Sequence, residues 1–214
     1  MKQFTLAEGL YVFPSPGGAY YAVSARERNP TRNVLQSLLK MEWTPRLTLE
    51  GLKAWSGIED SEQALRLLYH AQGLNWVEGF ESPLNCRNQP LEQLLPGLLE
   101  TLSAHGKALL ADGQGFYLAS HGFAHEVAEE LSALSAELAN LNERRSGVLA
   151  KNLGLGTSAW GVVNASGNSQ IGFWPLYVGK HRFTLVVSGL PHFNQPDFVQ
   201  LIWTLCMRYA ASDR

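Results

Sequence analysis

The segment from residue 107 to residue 145 restricts the possible fold more than any other part of the chain. Two short apolar runs, 107–111 and 116–119, flank an Asp-Gly-Gln-Gly sequence at 112–115, which is typical of a tight turn between antiparallel strands. Apolar and alanine residues then recur every three or four positions from about 123 to 145, which predicts one long helix. A hairpin that leads into such a helix requires a layer of helix packed against sheet.

The rest of the C-terminal part supplies the other elements of this architecture. Six leucines at helical spacing predict a helix before the hairpin: Leu91, Leu94, Leu95, Leu98, Leu99 and Leu102. After the long helix we expect three strands, at 158–164, 170–177 and 182–188, and a last helix from Asn194 through Tyr209. The order α-β-β-α-β-β-β-α predicts an α+β fold with a five-stranded antiparallel sheet.

The hairpin and the long helix have the sequence ALLADGQGFYLASHGFAHEVAEELSALSAELANL. This sequence resembles the start of a roadblock / dynein-light-chain domain, and residues 91–210 have the element order and length of that family. The resemblance implies a regulator or scaffold and not an enzyme, without nucleotide or other cofactor. It also implies dimers formed through the long helix and the strand after it, and a small Ras-like GTPase or an apparatus component as partner, as is common for bacterial members.

The long helix carries a stripe that indicates self-association independently of the family. Five apolar residues step by four, three, four and three positions, as in a coiled-coil seam: Val127, Leu131, Leu134, Leu138 and Leu141. Together with Val162 on the next strand, they are the predicted homodimer interface. The alternative is that the stripe packs only on the sheet of its own chain.

The N-terminal part has a different organisation, and a Pro- and Asn-containing linker at 81–90 separates it from the rest. Apolar runs at 10–13 and 19–23 flank Pro-Ser-Pro-Gly-Gly, which predicts a β-hairpin. Three short helices should follow, with Asn29, Thr48 and Asp60 as their N-caps, and then a strand. The expected domains are therefore 1–80, the linker 81–90, and a roadblock-like domain 91–214.

This N-terminal order resembles a winged-helix domain in architecture, without a specific motif. The predicted hairpin before the helices also resembles winged helices that capture a peptide by adding it as a strand to an open sheet edge. The added domain is absent from simple bacterial roadblock regulators, so the identity of the partner stays open.

A DNA-binding transcription regulator that dimerises through its C-terminal domain is the alternative function. Residues 26–53 hold six basic and three acidic side chains, and Arg26, Arg28 and Arg32 form the candidate nucleic-acid patch. However, the third helix begins with Glu-Asp-Ser-Glu at 59–62, which would repel phosphate. We therefore favour a winged helix that binds protein or peptide.

Aromatic residues on the strand at 170–177 suggest a second contact surface. Trp174 and Tyr177 are the predicted partner-binding side chains, since exposed aromatic area on a sheet is typical of interfaces. The alternative is a sheet that the N-terminal domain covers.

Other features give little support for enzymatic or metal chemistry. His121 and His125 are four residues apart, but no third ligand is suggested nearby, so we expect no metal site. The glycine-rich segment 153–158 precedes a strand, whereas a phosphate loop needs a helix after it. The two cysteines, Cys86 and Cys206, form no metal-ligand spacing.

Charge and the N-terminal sequence complete the expectations from the sequence. A net charge of -2 argues against general binding to polyanions. Glu8 and the prolines at 14 and 16 interrupt the apolar run that a secretion signal requires, and the cysteine content suits a reducing compartment. We therefore expect a cytoplasmic location.

Overall fold

The computed structural model describes residues 5–7, 9–154 and 157–210. Contacts within the chain define two compact units. Unit 1 combines the residues up to Arg87 with those from Asn194 onward, and unit 2 is Asn88–Phe193. No helix among the described residues is both long and apolar enough to cross a membrane.

Unit 1 is mostly helical, with a small antiparallel sheet. Its elements in chain order are β1 (Tyr11–Pro14), α1 (Pro16–Val23), α2 (Pro30–Leu39), α3 (Leu49–Ser56), α4 (Ser61–Gly73), β2 (Val77–Phe80), α7 (Pro196–Leu205) and a π-helical turn (Cys206–Ala210). The helices α2, α3 and α4 pack on one another, and α7 packs on α1. The core of unit 1 lies between these helices and β1.

The last helix belongs to a different unit from the one that the sequence suggests. The sequence places everything after residue 91 in one domain, whereas α7 packs in unit 1. Its apolar side chains explain this placement. The ring centroids of Trp203 and Phe13 are 4.1 Å apart, and those of Phe198 and Tyr20 are 6.4 Å apart. Helical periodicity identifies the apolar face of a helix but not the core that buries it.

The predicted N-terminal β-hairpin is wrong, because residues 16–23 form the helix α1. Ser15 is its N-cap and accepts a hydrogen bond from the Gly18 backbone N–H, while Pro16 occupies the first turn. Gly18 packs directly on the next layer, since a Cβ there would lie 1.9 Å from the Trp76 carbonyl oxygen. The strand that pairs with β1 is instead β2, in antiparallel register with Phe13 opposite Glu78.

The three helices predicted after the hairpin are confirmed, together with their caps. Asn29 accepts from the Arg32 backbone N–H, Thr48 from that of Gly51, and Asp60 from that of Gln63. Each cap satisfies one of the amides that a helix N-terminus leaves without an internal partner.

Two irregular segments extend the β1–β2 pair into a wider ribbon. Residues 45–47 bond to the free side of β1, with the Val12 N–H donating to the Pro45 carbonyl at 3.0 Å. On the far side of that segment, the Thr44 N–H donates to the Leu84 carbonyl, also at 3.0 Å. The order across the ribbon is therefore β2, β1, 42–47 and 84–86, with β2 at one edge.

Unit 2 contains the five-stranded antiparallel sheet that the sequence predicts. Its elements are α5 (Leu91–Thr101), β3 (Ala108–Asp112), β4 (Tyr117–His121), α6 (His125–Leu153), β5 (Trp160–Val163), β6 (Ser169–Val178) and β7 (His181–Ser188). The strand order is β4-β3-β7-β6-β5, and every neighbouring pair is antiparallel. The helix α6 packs on β3, β4 and β7, while α5 packs on β3 and β4.

The predicted Asp-Gly turn joins β3 to β4 and also touches α6. The Asp112 carboxylate accepts from the backbone N–H groups of Gln114, at 2.8 Å, and Phe116, at 3.0 Å. Gly115 has a φ of +95°, and a Cβ there would lie 3.2 Å from the Cα of Ala133 on α6. A glycine is needed both for the left-handed backbone and for this close approach.

Candidate protein-interaction surface on α6 and β5

The stripe predicted on the long helix divides into a buried set and an exposed set. Leu131 and Leu138 are partly buried and pack on the cluster of Leu109, Phe173 and Val186 in the sheet. Three other members of the stripe point to solvent, and an additional valine continues their line. Their exposed fractions are Val127 43%, Leu134 40%, Leu141 38% and Val148 56%.

These four exposed residues, which we call the α6 row, follow one another at intervals of seven residues. Seven residues are nearly two turns of helix, so the side chains lie almost in line, about 10 Å apart. The row therefore extends for about 30 Å along the helix. Val148 is absent from the sequence prediction, although the same seven-residue spacing could have identified it.

The edge strand β5 adds a second exposed apolar area in unit 2. Its only neighbour in the described sheet is β6, with Val162 opposite Ile171. Val162 and Val163 are 53% and 59% exposed, whereas Trp160 packs on the same core cluster as Leu131 and Leu138. An edge strand with exposed valines and a free row of backbone groups is a ready template for pairing.

Arg182 on β7 fixes α6 against the sheet close to the row. The guanidinium is almost fully buried and contacts Glu143 on the helix, with Nη1 3.1 Å from Oε1. Its Nη2 donates to the Asn140 side-chain oxygen at 2.9 Å and to the Gly113 carbonyl at 3.2 Å. One side chain thereby joins α6, β7 and the β3–β4 turn, and a planar guanidinium suits such divided contacts. Sequence reasoning missed this residue, since nothing in its local pattern marks it as buried.

An open surface depression lies against the exposed side of α6, and the residues that line it belong to this helix among the described residues. Both apolar and charged side chains line it, including Leu134, Leu141, Glu137 and Arg144. Acidic residues flank the N-terminal half of the row and basic residues its C-terminal half. Glu130 and Glu137 are exposed beside the first half, and Arg144 and Arg145 are exposed beside the second half, where the carboxylate of Glu143 is already paired with Arg182.

The structure does not bring the two predicted partner-binding aromatics together. Trp174 and Tyr177 are three positions apart on β6, so their side chains point to opposite faces of the sheet. Trp174 is half-buried and meets Phe193 edge to face, with ring centroids 5.0 Å apart. Tyr177 is 8% exposed, which leaves it little area for a partner.

One of the three arginines of the candidate nucleic-acid patch, Arg32, is buried in unit 1. Arg32 is 5% exposed, and its Nε donates to the Tyr21 carbonyl at 3.1 Å while Nη1 donates to the Glu27 carbonyl. Its guanidinium lies 4.4 Å from the centroid of the Tyr21 ring. Arg26 and Arg28 are exposed. Arg32 is therefore a structural residue that cannot contact phosphate.

The two histidines considered as metal ligands have separate partners. His121 Nδ1 bonds with the Gly106 carbonyl at 2.8 Å, while His125 Nδ1 bonds with the Tyr117 hydroxyl at 2.7 Å. In the described part of the chain, no three His, Cys, Asp or Glu residues are placed to hold a metal ion. The glycine-rich segment 153–158 includes residues 155 and 156, which lie outside the described residues.

Neither cysteine is placed for nucleophilic chemistry. Burial raises the pKa of the Cys206 thiol to about 12, so this group stays protonated at neutral pH. Cys86 is half-buried, and burial also raises its pKa, against the effect of hydrogen bonds with Gln200 and Thr204.

Comparison with solved structures finds roadblock domains. No family model matches the chain, and no curated protein sequence matches it. A roadblock/LC7 domain from Streptomyces avermitilis is 15% identical with a TM-score of 0.37, covering 58% of this chain and 97% of that one. Myxococcus xanthus MglB is 18% identical, with a TM-score of 0.32 and coverages of 56% and 91%. The gliding protein MglB from Thermus thermophilus is 23% identical, with a TM-score of 0.34 and coverages of 56% and 87%.

Proposed function

We propose that this protein is a non-enzymatic regulator or scaffold that forms a homodimer through unit 2. The α6 row is the observation that carries the proposal. Four large apolar side chains in line, each more than a third exposed, are unusual on a helix that already buries another face in its own core. A second copy of the row would remove them from water.

The charges beside the row favour an antiparallel arrangement of the two α6 helices. In a parallel pair, Glu130 and Glu137 would face their own copies, and so would Arg144 and Arg145. In an antiparallel pair, the acidic half of each helix faces the basic half of the other. A two-fold axis across the helix produces that arrangement and is the commonest symmetry of protein dimers.

One register places both rows in contact. If the two-fold axis passes between Glu137 and Leu138, Val127 meets Val148 of the other copy and Leu134 meets Leu141. The same register places Glu130 opposite Arg145. The edge strand β5, with Val162 and Val163, extends the proposed contact beyond the helices.

The dimer would present a surface for a protein partner, and a small Ras-like GTPase is the partner class we propose. This part rests on the resemblance to roadblock domains in the sequence of the hairpin and long helix. For unit 1 we propose a winged-helix role in partner choice, since α2, α3 and α4 pack together and the ribbon lies beside them. The DNA-binding alternative relies on Arg26 and Arg28 alone, because Arg32 is buried.

The mass of the protein in solution tests the dimer. Light scattering on the full chain should give about twice the 23.6 kDa of one copy. Leu134→Glu should give the mass of a single copy, since each dimer would bury two carboxylates in an apolar contact. Leu190→Glu is the matched control, because Leu190 is 64% exposed and lies outside the row. The proposal fails if Leu134→Glu keeps the mass of the dimer and the circular dichroism of the wild type.

A further inference from the structure

Within the described residues, no strand lies beside the backbone groups on the outer edge of β2 in unit 1. The Ser15 N–H donates to the Trp76 carbonyl at 3.1 Å, and hydrogen-bonded pairs alternate along an antiparallel ladder. Glu78 and Phe80 therefore bond to β1, whereas Val77 and Gly79 direct their N–H and C=O groups away from it. Among the described strands, β1 is the only neighbour of β2.

A cavity of about 510 Å³, formed by residues of unit 1, lies on the face of the ribbon that carries Glu78 and Phe80 of β2. Its floor is apolar and includes Phe13, Phe80, Leu84 and Trp203. Glu78 also lines it, because Glu78 and Phe80 point to the same face of β2. A strand added to the β2 edge would place every second side chain on that face.

The charge around the cavity indicates what such a strand should carry. The cation on the rim, Arg87, already has the Asp197 carboxylate 3.7 Å away. Glu78 is exposed, and no ion pair involves it within the described residues. A basic side chain opposite Glu78 would complete a favourable cross-strand pair.

We propose that unit 1 binds an extended peptide segment as an added strand on β2. One large apolar side chain of the peptide enters the cavity, and a basic side chain on the same face lies opposite Glu78. Backbone hydrogen bonds to Val77 and Gly79 supply affinity, and the two side chains supply selectivity. A compact small molecule could fill the cavity but would leave the strand edge unpaired.

The peptide site rests on the proposed function only in that unit 1 takes part in partner choice, and it adds the chemistry of the bound partner. It uses a surface of unit 1 that the α6 row does not share. The Leu134→Glu variant should therefore bind the peptide as the wild type does, so failure of the dimer and failure of the peptide site are distinguishable.

The test uses the full chain and a fluorescein-labelled peptide, acetyl-Thr-Phe-Thr-Lys-Thr-Leu-Thr-Gly. Its Phe, Lys and Leu lie on one face of an extended strand. A second probe replaces Lys with Glu. We expect saturable binding by fluorescence anisotropy, about threefold to tenfold weaker for the Glu probe, because like charges opposite each other destabilise a strand pair.

Variants of the edge separate strand addition from other modes of binding. Gly79→Pro removes an outward N–H that bonds to nothing in β1, and it should weaken binding at least about tenfold. Gly79→Ala is the matched control, because it adds a Cβ 3.2 Å from Leu10 but keeps the donor. Glu78→Lys, at an exposed position, should reverse the preference between the two probes.

Three results would overturn the proposal. The first is no saturable binding of either probe at millimolar concentration. The second is equal binding by Gly79→Pro and Gly79→Ala. The third is a change in the mass of the Gly79→Pro variant without a change in its peptide affinity, since a second copy of the chain would then occupy the edge.

Discussion

Arg32 belongs to the nucleic-acid patch predicted from the sequence, but in the folded chain it has a structural role. It lies on the Tyr21 ring, and that ring stacks on Trp76 with centroids 3.9 Å apart. Asn29 completes the cluster, donating from its side chain to the Tyr21 hydroxyl at 2.9 Å. The stack joins the start of α2 to α1 and to the segment that leads into β2.

Replacing this arginine should destabilise unit 1 without affecting any charged surface. Arg32→Ala removes the donor to the partly buried Tyr21 and Glu27 carbonyls and the contact with the Tyr21 ring, which should cost about 1–3 kcal/mol of unfolding free energy. Arg32→Lys should recover only part of the loss, because an ammonium cannot reproduce the planar contacts. Urea denaturation measures both variants. Arg28→Ala, at an exposed position, is the control and should change stability by less than about 0.5 kcal/mol.

Residues that act through their immediate neighbours are the ones the sequence predicts well. Asn29, Thr48 and Asp60 are correct because a cap bonds to a backbone N–H three residues later. Arg32 is missed because its partners, the Tyr21 and Glu27 carbonyls, lie outside its own helix, and Arg182 is missed because its partners are distant in sequence. For Arg182, these are Asn140 and Gly113.

At the scale of the element, α6 combines two helix faces that a single apolar stripe does not distinguish. Leu131 and Leu138 pack on the sheet, whereas the side chains of the α6 row are exposed to solvent. The difference arises because residues three or four apart point in directions about 40–60° apart around the helix axis, so the two sets of the stripe face different surroundings.

The charges beside the row make the antiparallel arrangement testable. Glu130→Arg and Arg145→Glu, each alone, should weaken the dimer, because each places like charges opposite each other in the proposed register. The double variant should recover most of the lost affinity, with a coupling of about 0.5–1 kcal/mol. Sedimentation equilibrium at low salt measures the dissociation constants. Additive losses in the double variant would contradict the register.

Secondary structure predicted from the sequence is wrong where residue propensity and tertiary packing favour different structures. The sequence Ala-Tyr-Tyr-Ala-Val at 19–23 has residues that favour strands, yet it forms α1. Ser15 followed by Pro16 was an available signal, since Ser at the N-cap and Pro in the first turn are typical of helix starts. Packing of Gly18 on the Trp76 backbone then fixes the helix in place.

At the scale of the whole molecule, the two units differ in continuity. Unit 2 is one uninterrupted stretch, Asn88–Phe193, and the order of its elements follows from hydrophobic periodicity and turn residues. Unit 1 needs α7, which follows unit 2 in the chain. No local pattern signals this return, so the sequence could not have assigned α7 to unit 1.

Separate expression of the two parts should reveal this difference. Residues 88–193 alone should fold, with a cooperative thermal transition. Residues 1–87 alone should not, because Phe198, Leu201 and Trp203 are fully or almost fully buried, and removing α7 leaves their contacts open. A chain in which 194–214 is joined to 1–87 by a flexible linker is the control and should recover folding. A cooperative transition of 1–87 by itself would contradict the assignment of α7.

The return of α7 also sets an order of events during synthesis. Residues up to Arg87 leave the ribosome first but lack the helix that closes their core. Unit 2 emerges next with every element it needs. It can therefore fold while the core of unit 1 is still incomplete, because α7 has not yet been synthesised. At typical elongation rates of about 5–20 residues per second, this interval lasts several seconds. The part of the chain that is made first therefore completes its structure last, and during that time its apolar surfaces are open to chaperones.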